Sequence, residues 1–420
     1  MSGAEPIDTT GSHAYEPDPA AVGFVLQLVQ ALHGHGESAQ RVEDTVSAMS
    51  DRLGLLGAQI FSTPTSIMAS FGPVGRQRTH MLRVRPGEVN LGKLAAVERV
   101  AVDVTQGRQT PREGAREIAR INAASPPYGA LLTILAFGVS SGAACQFLGG
   151  GIREIPVALI LGLGLGTFSH LVAGSRRLGG VFEPLAAFFV SASAVGLAHL
   201  LGPLSVLIAT LGGLIVLIPG LTLTTALSEL ATRHLASGTA RLSAAVITFL
   251  SIAFGVAVGN RVGAAMFGAP PTAAPELLPP VASLAALVIV PLCFTIIFRA
   301  ELREAPWIIL GGALAVEAGR LGAATLGPEL GAFVGAFAVA VASSIYERLR
   351  RRPAAVVLVP GLLLLVPGTV GFRGLTSLVE RQSLAGIETA FSAVLTAMAL
   401  VAGLLVAGVV APEPRLGGRS

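Results

Sequence analysis

Leu217-Ile218-Pro219-Gly220 and Leu365-Val366-Pro367-Gly368 repeat one helix breaker 148 positions apart, each inside apolar sequence. A helix that restarts after Pro219-Gly220 points free N–H groups and the positive end of its dipole into the gap, an arrangement that suits a carboxylate. Thr222, Thr224 and Thr225 add hydroxyls beside those amides. Pro367-Gly368-Thr369 repeats the backbone feature, and Arg373 offers a guanidinium fork. Pro219, Gly220, Thr222, Thr224, Thr225, Pro367, Gly368, Thr369 and Arg373 are therefore the candidate substrate-binding residues. The competing reading bonds the threonines back to helix carbonyls and leaves Arg373 at a membrane boundary.

Ionisable groups deep in lipid are costly, which makes them candidates for function. Glu317 lies within the apolar run Leu310 to Leu326, and Arg320 follows one turn on, where the two can pair at i,i+3. With His170 in an earlier apolar run they are the candidate proton-coupling residues. The alternative is a structural ion pair facing the bundle, with His170 and His199 as hydrogen-bonded packing residues. Glu183 and Glu388 open apolar helices, where a carboxylate favours the N-terminus. Near the amino end, His33, His35, Glu37 and Asp44 offer a rival reading as a hydrolase or metal site. Two histidines in a Gly-rich turn do not make a three-ligand centre, and a helix–helix turn capped by Glu37 and Ser38 accounts for the same residues. No catalytic residue, metal or cofactor is expected. Cys145 and Cys293 lie in apolar runs and are expected to be small buried hydrophobes.

The elements that carry these residues follow from composition. With 52% hydrophobic and 13% charged residues and a mean hydropathy of +0.71, the chain is too apolar for a soluble protein of its length. The net charge of +4 and pI near 9.7 do not indicate nucleic-acid binding, because Lys93 is the only lysine and the arginines are spread through loops. Residues 1–20 lack apolar periodicity and are expected to be a disordered tail. Residues 21–125 read as a cytoplasmic α+β domain: helical spacing over Val22–Leu32 and Val42–Leu53, strand-like pieces at Ala58–Phe71 and Thr79–Val84, helical spacing again over Leu91–Val104, and a helix capped at Thr110-Pro111.

Beyond Tyr128 come about ten apolar runs near the roughly 20 residues that cross hydrocarbon, with 203–219 as the fourth and 354–372 as the ninth. The expected fold is an all-α polytopic membrane protein of about ten transmembrane helices in two inverted five-helix repeats, 126–268 and 281–420, joined by an external linker at 269–280. Aligning Pro219 with Pro367 pairs Leu227 with Leu375, Leu230 with Leu378, Gly238 with Gly386 and Gly255 with Gly403. Pro360-Gly361 offers a competing register. The loop arginines favour both termini inside, with Arg176, Arg177, Arg348 and Arg350–Arg352 on that side. This topology puts Gly220 at the cytoplasmic end of the fourth span and Gly368 at the outer end of the ninth. Whether the corners line one pocket or act as two gates stays open.

The resemblance to a known family is carried by Gly36-Glu37-Ser38-Ala39-Gln40-Arg41-Val42-Glu43 with Leu53-Gly54-Leu55, and by Phe61-Ser62-Thr63-Pro64-Thr65 and Val89-Asn90-Leu91-Gly92-Lys93-Leu94. It continues in Ile218-Pro219-Gly220-Leu221 with Ser237-Gly238-Thr239-Ala240-Arg241, and in Val359-Pro360-Gly361 with Val366-Pro367-Gly368. In order and spacing these resemble the threonine/serine exporter family, which also includes a yeast pheromone-regulated membrane protein and bacterial two-component relatives linked to succinate export. The resemblance implies a multi-pass exporter of small hydroxy amino acids in the plasma (inner) membrane, driven by the proton gradient. Its partners would be an amino acid, protons and the lipid bilayer, with no nucleic acid; homo-oligomerisation stays open. A dicarboxylate such as succinate is the alternative substrate and would favour paired cations such as Arg373 with Arg381.

Overall fold

The computed structural model describes residues 16–411 apart from 86, 366, 367, 369, 373 and 375–382. The described residues fall into two compact units, one from Val89–Ala95 with residues 125–411 and the other from residues 16–88 with Ala96–Ala124.

In the amino-terminal unit α1 (Pro19–Gly34) starts at an Asp18 cap that accepts from the Ala20 amide, and α2 (Ala39–Arg52) at a Ser38 cap that accepts from the Arg41 amide. The expected strand over Ala58–Phe71 is two strands. Thr63-Pro64-Thr65-Ser66 folds it into a hairpin in which the Thr63 hydroxyl holds the Ser66 carbonyl at 3.0 Å. The result is an antiparallel sheet in the order β1 (Gln59–Thr63), β2 (Ser66–Phe71), β3 (Arg78–Arg83). Ile67, Ala69 and Phe71 alternate onto its buried face. Helix α3 (Leu91–Thr105), whose residues from Ala96 on belong to this unit, and α4 (Pro111–Ala123) follow, α4 opened by a capping box of Thr110 and Glu113.

The larger unit is helical: α5 (Ala130–Phe147), α6 (Glu154–Val172), α7 (Arg176–Gly179), α8 (Phe182–Leu201), α9 (Val206–Leu214), α10 (Gly220–Ala231), α11 (Leu235–Phe267), α12 (Pro280–Ile297), α13 (Ala305–Leu326), α14 (Pro328–Arg350), α15 (Ala355–Leu363) and α16 (Ser383–Val410). Eight helices among the described residues are long and apolar enough to cross a membrane: α5, α6, α8, α11, α12, α13, α14 and α16. The chain is a polytopic membrane protein. The fourth and ninth runs, expected as single spans, are not continuous helices. α9 stops at Leu214 and α10 restarts at Gly220, because Pro219 has no N–H to donate and its ring excludes the preceding turn. The ninth run breaks after Leu363, and Pro360 sits inside α15, so the second interruption falls later than the Pro360-Gly361 dipeptide.

Three buried clusters organise this unit. Val157, Leu161, Val190, Leu214 and Ile252 join α6, α8, α9 and α11, and Phe372 from the far end of the chain inserts among them. Ile308, Ala336, Val357 and Leu400 join α13, α14, α15 and α16. Between these lies a seam in which α5 and α12 meet through Ala144, Val290 and Phe294, with Ile215, Leu363 and Leu364 from the two interruptions packed against it. Small residues set the helix spacing: a Cβ on Gly259 of α11 would lie 2.5 Å from the Phe188 carbonyl of α8.

Candidate functional site

The first interruption is a tight, irregular turn. The Leu217 amide donates to Leu214 O at 2.8 Å and the Gly220 amide to Ile218 O at 2.8 Å, which ends the α-helical pattern before Pro219 (φ −79°, ψ 45°) opens α10. No side chain caps α10, so beyond the Gly220 amide its first turn has no capping side-chain oxygen. Gly368 packs directly on this corner: a Cβ built on it would lie 2.7 Å from Ile218 Cγ2 and 3.4 Å from Gly220 Cα. The placement of the two corners at opposite membrane faces is therefore wrong. Each Pro-Gly was read as the end of a span, whereas Pro219 has a helical segment on both sides, nine residues in α9 and twelve in α10.

Of the candidate hydroxyls, Thr224 is buried and donates to Gly220 O at 3.2 Å, the back-bonded arrangement, while Thr222 and Thr225 are half-buried on the same helix. Pro367, Thr369 and Arg373, and the Arg381 of the alternative reading, lie outside the described residues. Two further hydroxyls were not singled out from sequence. Ser141 of α5 and Thr210 of α9 are buried, and neither hydroxyl oxygen has a hydrogen-bond partner. The helices that carry them touch, with Cys145 Sγ 3.9 Å from Ile208 O. Both cysteines are free and buried, as their apolar surroundings indicated.

The proton-coupling candidates are dispersed. Arg320 Nη1 donates to Glu317 Oε1 at 2.7 Å, so the i,i+3 pair forms, but the side chains are 48% and 52% exposed. The pair is half exposed, contrary to the alternative reading of an ion pair facing the bundle. His170 is exposed in the last turn of α6, and His199 Nδ1 lies 3.0 Å from Val195 O.

Among the described residues of the larger unit three carboxylates are buried, and sequence reasoning passed over all three. Glu229 of α10, 1% exposed, meets Arg241 Nε of α11 at 3.1 Å. Glu154, 1% exposed, accepts from the Gly151 amide at 2.9 Å and the Ser205 amide at 2.8 Å. Glu304, 1% exposed, accepts from the Tyr346 hydroxyl at 2.6 Å and meets Arg352 Nη1 at 2.8 Å. A signal for the last two was present. Ile152-Arg153-Glu154-Ile155-Pro156 recurs as Leu302-Arg303-Glu304-Ala305-Pro306, 150 positions on. The turns that hold them are built alike, with positive φ at Gly149 and Arg299 and matching 2.9 Å bonds from Gly150 N to Cys145 O and Ala300 N to Thr295 O. Beside Glu304, burial would raise the Glu301 carboxyl, but hydrogen bonds from Arg303 and Arg352 outweigh it and hold that carboxyl below its usual range.

In the amino-terminal unit the four residues of the rival reading do not converge. His33 Nε2 lies 3.0 Å from Pro64 O, His35 Nε2 lies 2.9 Å from Asn122 Oδ1, and Glu37 accepts from the Ser38 amide beside Arg41. Among the described residues no group of three or more His, Cys, Asp or Glu side chains is placed to hold a metal ion.

Interrupted helices that meet within a bundle of membrane-length helices define a polytopic membrane protein. The chain belongs to the threonine/serine exporter family: one model described as threonine/serine exporter matches residues 23–263 and a second, also described as threonine/serine exporter, matches 283–410. Among curated proteins, the pheromone-regulated membrane protein 10 of Debaryomyces hansenii is 26% identical over 384 residues, covering 87% of this chain and 37% of its own length. An uncharacterized protein of Schizosaccharomyces pombe is 25% identical over 386 residues, 88% of this chain and 49% of its own. The chain thus spans less than half of the length of these relatives. No solved structure matches it.

Proposed function

We propose that the protein exports small hydroxy amino acids, threonine and serine, across the plasma membrane in exchange for protons. The observation that carries this reading is the packing of Gly368 on Ile218 and Gly220, which brings both helix interruptions to one place. At about 1.5 Å per residue, α9 and α10 together approach the roughly 30 Å of hydrocarbon. Counting each interrupted segment as one crossing makes ten spans, five in each half. An odd number per half inverts the second half, and the shared break then lies near the midplane, where such repeats bind substrate. The loop arginines support cytoplasmic termini, with the α+β unit on that side.

A threonine or serine zwitterion presents a carboxylate, an ammonium and a hydroxyl. The uncapped start of α10 suits the carboxylate. Thr222, Thr225 and Thr369 supply hydroxyls, Arg373 a second anchor, and Ser141 and Thr210 are buried groups whose unmet hydrogen bonds a polar substrate or its water would satisfy. For proton coupling, Glu229 is better situated than Glu317 or His170. It is buried and on the helix that begins at the corner, and its protonation would release Arg241. Counterflow in proteoliposomes tests the substrate: labelled threonine and serine should be taken up against an internal pool. Uptake of labelled succinate alone would move the assignment to dicarboxylates, and uptake of none of the three would remove it.

A further inference from the structure

At mid-helix the outward face of α13 carries charge where those of α11 and α12 carry none. On α11 the exposed mid-helix residues are Val246, Ile247, Leu250 and Phe254, and on α12 they are Val281, Leu284, Val288 and Leu292, surfaces suited to acyl chains. The exposed residues of α13 include Leu310, Leu314, Glu317, Leu321 and Ala324, a 4-3-4-3 spacing of the kind that seams two helices together. Glu317 stands at the centre of that stripe with Arg320 at its flank, both about half exposed. Arg320 has five N–H donors and its one hydrogen bond among the described residues goes to Glu317 Oε1. Ionisable groups facing hydrocarbon are costly unless they find polar partners, and a second copy of the helix would supply them to the remaining donors and the second carboxylate oxygen.

We propose that α13 is a homodimer interface, in which the Leu310–Ala324 stripe packs on the same stripe of a second copy and Arg320 of each chain reaches Glu317 of the other. Both copies share one orientation in the membrane, so the two-fold axis runs along the membrane normal and the helices pack parallel. Such an axis sets each surface against itself. A face holding one acid and one base is self-complementary under that operation: two intrachain pairs become a closed ring of four charges, each acid with two bases. Neighbouring acyl chains offer no such partner. Leu314 and Leu321 then meet their own copies on either side of the ring, and Ala324 allows close approach.

The test uses the full-length chain with Cys145→Ala and Cys293→Ala, carrying Leu314→Cys on α13 or Leu250→Cys on α11. Oxidation in native membranes should yield a disulfide-linked dimer from the α13 variant, whose cysteines would face each other at bridging distance, and monomer from the α11 variant. Subunit counting by single-molecule photobleaching in liposomes should give two. Glu317→Arg sets four cations together and should raise the dimer dissociation constant at least tenfold, while Glu317→Arg with Arg320→Glu exchanges the charges, keeps self-complementarity and should restore dimers. A melting temperature for each variant separates dissociation from misfolding. Photobleaching in one step for the unsubstituted chain, equal cross-linking at Leu250 and Leu314, or a dimer indifferent to Glu317→Arg would each overturn the proposal.

Discussion

Gly368→Ala probes the meeting of the two interruptions with a single methyl group. Its Cβ would lie 2.7 Å from Ile218 Cγ2, about 1 Å inside the roughly 3.5–4.0 Å of a good carbon–carbon contact. Gly220 Cα, at 3.4 Å on the same side, leaves little room to retreat. Overpacking of this kind costs about 1–3 kcal/mol, or roughly 5- to 150-fold in the equilibrium between states with the corners in contact and apart. Ile218→Leu supplies the control. Leucine carries one heavy atom on Cβ rather than two, so the offending Cγ2 is gone at nearly constant volume, a swap that by itself costs under about 1.5 kcal/mol. Labelled-threonine counterflow and melting temperature should both fall in Gly368→Ala, change little in Ile218→Leu, and recover in the double variant, with a coupling energy of about 0.5–3 kcal/mol. Wild-type transport and stability in Gly368→Ala, or additive losses in the double variant, would refute the contact as the element that joins the two halves.

Two further outcomes follow from the charged groups. Arg241→Ala strands the buried Glu229 carboxylate and should destabilise the protein by about 3–5 kcal/mol in thermal unfolding, with Arg241→Ala combined with Glu229→Gln losing less because no unpaired charge remains. The Glu301 carboxyl is held below its usual range by Arg303 and Arg352, so its folded-state pKa lies under the unfolded one. Its stabilisation is complete above the unfolded value near about 4.3 and is lost as pH falls from there through the folded value. Glu301→Gln should therefore lower the melting temperature at pH 6 and converge on the unsubstituted chain in strongly acidic buffer.

Much of the local structure was written in short-range chemistry. Thr110-Pro111 with Glu113 specifies the start of α4 through side-chain bonds three residues apart, and the Pro219-Gly220 break follows from the missing proline donor. The interior of the bundle was less legible. A soluble helix marks its buried side by alternation, but where one side meets lipid and the other meets protein both are apolar, and no period separates them. Glu317 looked like an inward-facing group because of its depth in an apolar run, and its helix turns it outward. Glu229 attracted no notice, because what makes it buried is Arg241, which arrives from the next helix. The repeated Arg-Glu-x-Pro at Glu154 and Glu304 was visible, and acquired meaning only when the two turns showed the same backbone bonds.

By itself the sequence determined the membrane class, since hydrophobicity over runs of span length needs no partner to act, and it determined where the helices break. The tertiary structure decided that the two breaks touch. Gly220 and Gly368 are apolar neighbours without charge or length to betray one another, and their contact depends on how α9, α15, α5 and α12 pack along a seam of long-range contacts.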